Sequence, residues 1–235
     1  MSPQLKARIA GLLYLLITIA APFGELFVRG KLLVKDNVAA TATNILANET
    51  LYRLGGVADL IAFACDVALA ALFYDLLKPA SRSASLLAAF FRLMHAAVVS
   101  VATLAYFAPL LLLARPTPGF ATEQLHSLVS VCLGVHGQGY NIGLFFFGIH
   151  CVLVGYLIFR STFLPRVLGP LMAIAGVCYL INSLATFLAP ALKAQIYPLI
   201  LVPAGVAELS LMLWLIFAGL NAERWKQQAS GLVNQ

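Results

Sequence analysis

The sequence predicts an all-α integral membrane protein, a bundle of six transmembrane helices with two short interfacial helices in the outer connections. Three observations carry this. First, 62% of the 235 residues are hydrophobic and only 10% are charged, with a mean hydropathy of +0.94. A surface that apolar cannot face water, so the solvent for most of the chain is lipid. Second, apolar runs lie near residues 8–28, 55–77, 84–114, 139–159, 165–188 and 198–220, each bounded by charge, proline or glycine. Each supplies about the 20 residues a helix needs to cross a bilayer core of roughly 30 Å. Third, six spans and their connections use up residues 1–235. A single polytopic membrane domain is therefore expected, with no soluble domain.

The first run follows Lys6 and Arg8 like a signal peptide, yet it continues past Pro22 to Val28, and Pro22 spoils the cleavage site expected after Ala20 or Ala21. It reads as a retained helix. In the next connection Asp36 is a candidate N-cap for a helix over 37–53, with Val38, Ala42, Ile45 and Tyr52 near one face and Thr41, Asn44 and Asn48 more polar. Thr122 to Val135, with Leu125, Leu128, Val129 and Cys132 at helical spacing, is the second interfacial candidate, ended by a break at His136-Gly137-Gln138-Gly139. Pro165 and Pro198 mark helix starts, where a missing amide hydrogen costs little. Pro109 and Pro203 sit inside apolar runs and are expected to kink them. Gly148, Gly155, Gly169 and Gly176 permit close helix approach, and Tyr179, Asn182 and Thr186 share a face of the fifth span. Tyr14, Tyr156, Trp214 and Trp225 read as bundle or interface anchors.

The net charge of +6 comes from 15 Lys and Arg against 9 Asp and Glu, with the basic residues scattered at the ends of apolar runs. Such scatter encodes topology; no nucleic acid partner is expected. With six spans both termini share a side. Lys6, Arg8, Lys78, Arg82, Arg160, Arg166, Arg224 and Lys226 then face Arg29, Lys31, Lys35, Arg53, Arg115 and Lys193, eight against six. The bias puts the termini on the cytoplasmic side. Cys65, Cys132, Cys151 and Cys178 show no paired spacing and read as free thiols.

Ionisable side chains within spans are costly, at least about 2.5 kcal/mol each near the centre, and need partners in the protein interior. Asp59 and Asp66 lie on the second span, Arg92 and His95 on the third, His150 on the fourth and Glu208 on the sixth, with Glu25 toward the outer end of the first. Counting from the expected helix ends at 1.5 Å per residue puts Asp66, His95, His150 and Glu208 at roughly 15 to 17 Å, near the midplane. An Arg92–Asp66 ion pair is the simplest way to keep both charges. Asp66, Arg92, His95, His150 and Glu208 thus form a candidate polar site, with Asp59, Glu25, Asn182 and Tyr179 as secondary polar residues.

Three chemistries fit such a set. His95, His150 and Glu208 are candidate ligands for zinc or iron, although no HxxxH or HExxH spacing is present. Histidine and carboxylate can relay protons. Together they can line a pocket for a small molecule or a lipid headgroup. A haem reading draws on His136 and His150, fourteen apart, with His95 as an opposite ligand. No cofactor is assigned. The leading expectation is a membrane-embedded binding protein, transporter-like or regulatory. A metal- or haem-dependent intramembrane enzyme and a structural accessory subunit are the alternatives.

The chain resembles the bacterial multi-pass membrane family known as domain of unknown function 4386 over nearly its whole length. The resemblance rests on Thr41 to Asn44, Leu51-Tyr52-Arg53-Leu54, Asp66, Tyr74-Asp75-Leu76-Leu77-Lys78-Pro79 and Phe91-Arg92-Leu93. It continues through Phe146-Phe147-Gly148, Gly155-Tyr156-Leu157-Ile158, Phe163-Leu164-Pro165, Leu168-Gly169, Gly176, Tyr179, Glu208 and Trp214-Leu215. It implies a prokaryotic cytoplasmic-membrane protein without an established activity. One departure is Ala218, where the family pattern often has a basic residue before the glycine that ends the last helix.

Overall fold

A computed structural model describes residues 1–114 and 119–231, all in helices and their connections. Among the described residues six helices are long and apolar enough to cross a bilayer. These are α1 (Pro3–Leu32), α3 (Glu49–Leu77), α4 (Arg82–Leu113), α5 (Thr122–Arg160), α6 (Leu168–Leu188) and α8 (Leu199–Phe217). Three shorter helices complete the order: α2 (Val38–Ala47), α7 (Pro190–Ile196) and α9 (Ala222–Gly231). The protein is an all-α, six-span membrane protein. Its outward surface agrees, since side chains such as Leu111, Phe217 and Leu104 are 80, 76 and 72% exposed. In water that area would drive association; in a bilayer it is the lipid-facing face.

Several boundaries differ from those expected. Asn37, not Asp36, caps α2, its Oδ1 accepting from Ala40 N at 2.9 Å. Asp36 instead takes the left-handed turn before it, at φ 58°. The helix stops at Ala47, so Tyr52 and Arg53 belong to α3. Thr41, expected on a polar face, is buried and bonded to both Val34 N and Val34 O. The second interfacial helix does not exist as a separate element. Thr122 to Arg160 is one helix of 39 residues, running through the expected break. A helical glycine costs only about 1 kcal/mol, and packing outweighs it here. A Cβ at Gly139 would lie 2.5 Å from Ala102 Cβ, so the glycine lets α5 lie close against α4. His136 is likewise inside the helix and buried, with Nδ1 3.1 Å from Ala102 O. Pro203 kinks nothing, because it sits in the first turn of the α-helical stretch Val202–Phe217, where no amide hydrogen is needed. Pro109 lies inside α4, which continues to Leu113. Arg115 lies outside the described residues.

The chain packs as two compact units. The first comprises Met1–Leu16, Cys65–Ala96 and Asn141–Gln235 and so takes part of every span. Its most specific contact is the α5–α6 crossing, where a Cβ at Gly155 would meet Gly169 O at 2.6 Å and one at Gly176 would meet Gly148 O at 2.5 Å. The four glycines recur at seven-residue spacing on both helices, so two backbones touch without side chains between them. The second unit, Ile17–Ala64 and Ala97–Tyr140, has a core of Val28, Leu32, Ile45, Tyr52, Tyr106 and Leu110. Tyr52 and Tyr106 stack at 4.3 Å, and each hydroxyl donates to the other residue's carbonyl, at 2.6 and 2.7 Å.

Candidate functional site

The first unit is built around Arg92, which is 0% exposed. Its Nη2 donates to Asp66 Oδ1 at 2.5 Å and its Nη1 to His150 Nε2 at 3.0 Å. Three rings enclose the guanidinium, with centres 5.2 Å (Tyr14), 5.6 Å (Phe73) and 5.3 Å (Phe147) from its central carbon. A charge in lipid needs a partner, and π-density over the faces of a guanidinium stabilises it further. Both are present here.

The hydrogen bonds fix the state of His150. Its Nδ1 lies 2.9 Å from Ala88 O, a group that only accepts, so Nδ1 carries the hydrogen. Nε2 must then accept from Arg92, and the ring is neutral. His95 is differently placed. Its Nε2 is 3.7 Å from Asp66 Oδ2, beyond hydrogen-bond reach, and its Nδ1 is buried without a hydrogen bond among the described residues. The Arg92 Nε is in the same condition. Glu208 is half-buried at the edge of the group. Its Oε1 accepts from Tyr179 Oη at 2.5 Å and its Oε2 from Tyr14 Oη at 3.0 Å.

Each of the six spans therefore gives at least one side chain: Tyr14 from α1, Asp66 from α3, Arg92 and His95 from α4, His150 from α5, Tyr179 from α6 and Glu208 from α8. All five sequence-derived residues are in this unit. Glu208 makes no ion pair with Arg92 and is joined to it through Tyr14, which offers its ring to Arg92 and its hydroxyl to Glu208. Tyr14, Phe73 and Phe147 were not anticipated as site residues. Spacing held a signal for two of them, because Phe73 is seven residues after Asp66 and Phe147 three before His150. Beside Phe73, Leu76, Leu77, Val154, Leu211 and Leu215 leave about 10 Å3 of space. That is at the lower limit for one water molecule, and the apolar lining offers it no partner.

The secondary residues separate. Asn182 donates to Asn141 Oδ1 at 3.3 Å and accepts from Lys193 on α7. Burial pushes the Lys193 ammonium below the ordinary lysine range. Asp59 and Glu25 belong to the second unit, where both bind Arg29. Arg29 Nη1 and Nη2 donate to the two Asp59 oxygens at 2.5 and 3.3 Å, and Nε donates to Glu25 Oε2 at 2.7 Å. Arg29, expected among outer loop charges, is instead 8% exposed within α1. It lies on a π-helical stretch, Phe23–Arg29, just after Pro22. Such stretches have no signature in single-sequence periodicity.

Fold and site together define a polytopic helical membrane protein with an ion-paired, aromatic-lined polar centre. The chain belongs to the family described as a domain of unknown function (DUF4386), whose model matches residues 9–219. It is also similar to an uncharacterized protein of Archaeoglobus fulgidus, 28% identical over 170 residues, which cover 72% of this chain and 85% of that protein. No solved structure matches.

Proposed function

We propose that this chain is a membrane-embedded binding protein, transporter-like or regulatory, whose polar centre takes a cation: a proton or a small organic cation. The charge inventory carries this reading. Among the described residues Arg92 is the centre's one cation, His150 is held neutral by its two hydrogen bonds, and Asp66 and Glu208 are both placed as acceptors. With both carboxylates ionised, one guanidinium faces two negative charges, leaving one uncompensated in a low-dielectric interior, where isolated charge is poorly tolerated. An anionic ligand would worsen that imbalance. A proton on Glu208 or His95, or a cation beside Glu208, removes it. Aromatic faces already surround the Arg92 cation, and Glu208 and Tyr179 are the half-buried members of the group. The metal or haem reading draws less support, because both His150 nitrogens are engaged and His136 belongs to the other unit. Among the described residues no three His, Cys, Asp or Glu converge on one point.

We place the protein in a prokaryotic cytoplasmic membrane with its termini inside. With Arg29 buried in an ion pair, the loop-charge bias rises from eight against six to eight against five.

Thermal stability of the detergent-purified protein tests the cation reading, with tetramethylammonium and ethylammonium as probes and pH varied separately. A saturating ligand at a hundredfold excess over its Kd adds about 2.7 kcal/mol of stability. The expected result is a saturable rise with at least one probe or with proton concentration, lost in Asp66→Asn and Glu208→Gln. No response to any cation or pH, or a response unchanged in both variants, would overturn it. A bound metal or a haem absorption band in the same preparation would favour the enzymatic alternative.

A further inference from the structure

A cavity of about 340 Å3 opens in the first unit beside the 162–165 turn, walled also by Trp214, the 218–221 connection and Arg224. Its depth in the bilayer follows from the spans, since α5 ends at Arg160, α6 begins at Leu168 and α8 ends at Phe217. Three span ends meeting at one cavity put it at the level of the lipid headgroups. Phe159, Val167 and Phe217, 55, 65 and 76% exposed, offer apolar surface for acyl chains next to it.

The wall is rich in free donors. Phe163 O accepts from Asn221 N at 3.1 Å, Ala218 O accepts from Gln4 Nε2 at 2.9 Å, and Asn221 Oδ1 accepts from Arg224 N at 3.0 Å. By contrast, Trp214 Nε1 and Asn221 Nδ2 make no hydrogen bond among the described residues. The Arg224 side chain has one long contact, to Thr162 O at 3.5 Å. No carboxylate lines the cavity. Arg160 and Arg166 flank the turn, exposed and without a carboxylate partner among the described residues. Two side-chain donors and the Arg224 guanidinium around an open space, with Phe163 O, Ala218 O and Asn221 Oδ1 engaged, favour an oxyanion, and guanidinium geometry matches phosphate oxygens two at a time.

We propose that this cavity seats a phosphate group, carried by an anionic lipid headgroup or by a soluble phosphate compound. The site shares no residue with the polar centre, so it stands or falls independently of the cation reading.

Native mass spectrometry of delipidated protein tests it, with phosphatidylglycerol in one arm and inorganic phosphate in the other. Arg82→Gln is the control, because Arg82 is also exposed and basic but lies outside the cavity. Relative to that control, Arg224→Gln should weaken retention at least roughly tenfold, the value of about one charge-assisted hydrogen bond. Asn221→Asp is the second variant. It keeps the cap on α9 while replacing a donor with a negative charge, so it should abolish binding in a folded protein. Loss confined to the lipid arm identifies a headgroup site, and loss confined to the phosphate arm a soluble one. No binding in either arm, or equal loss in Arg224→Gln and Arg82→Gln, would overturn the proposal.

Discussion

Tyr14 links two charges that do not touch. Its ring covers the Arg92 guanidinium while its hydroxyl donates to Glu208, and Tyr179 supplies the second donor to that carboxylate. Removing either hydroxyl leaves a charged acceptor with one partner fewer, a loss of about 1.5 to 3 kcal/mol for a hydrogen bond to a charged group. Tyr14→Phe and Tyr179→Phe should each lower stability in detergent by that amount, while Glu208→Gln combined with Tyr179→Phe should cost less than the sum of the two. Chemical denaturation of the wild type, the three single variants and the double variant checks this, and additive losses would mean that Tyr179 and Glu208 act apart. Sequence made the charged members legible, because an ionisable residue in an apolar run stands out whatever its partners. The aromatic members were not, since a Tyr or Phe in a span is unremarkable until the charge beside it is known. Arg29 was missed for a related reason. At the end of a run it looked like a flanking charge, and only the π-helical stretch and its pairing with Asp59 show otherwise.

The α5–α6 crossing rests on glycines at 148, 155, 169 and 176, as their spacing suggested. A Cβ at Gly155 would also sit 2.6 Å from Ala173 N, so the obstacle is backbone and cannot swing away. Gly155→Val should therefore destabilise by about 1 to 3 kcal/mol or more, the usual range for overpacking. Gly134, where an added Cβ meets nothing within 4 Å, is the internal control, and Gly134→Ala should be neutral or stabilising. Thermal melts of both variants decide it, and equal effects would contradict the crossing. The same comparison explains why span boundaries were harder to read than spans. Hydrophobic runs gave all six helices, but Gly137 and Gly139 looked like a break when Gly139 was in fact a contact. A glycine that ends a helix and one that lets another helix approach are the same letter in a single sequence.

Six spans return the chain to the side on which it began, which makes topology directly measurable. Single cysteines introduced at Lys78 and Arg160 should react with a membrane-impermeant thiol reagent from one side, and those at Asn44 and Phe120 from the other. Of the native thiols Cys65, Cys151 and Cys178 are buried, and the half-buried Cys132 is replaced by serine in the labelling background. Labelling of all four from one side would rule out six spans. That topology matters because every span sends at least one side chain into the polar centre, so the assembly of the whole chain and the pairing of Arg92 with Asp66 are one fact. A double-mutant cycle measures it most directly. Arg92→Leu alone strands a buried carboxylate and should cost about 3 to 5 kcal/mol. Adding Asp66→Leu should recover much of that loss, giving an interaction energy well above roughly 0.5 kcal/mol in detergent. Strict additivity of the two substitutions would contradict the structure, leaving Arg92 and Asp66 unpaired and the charged centre without its core.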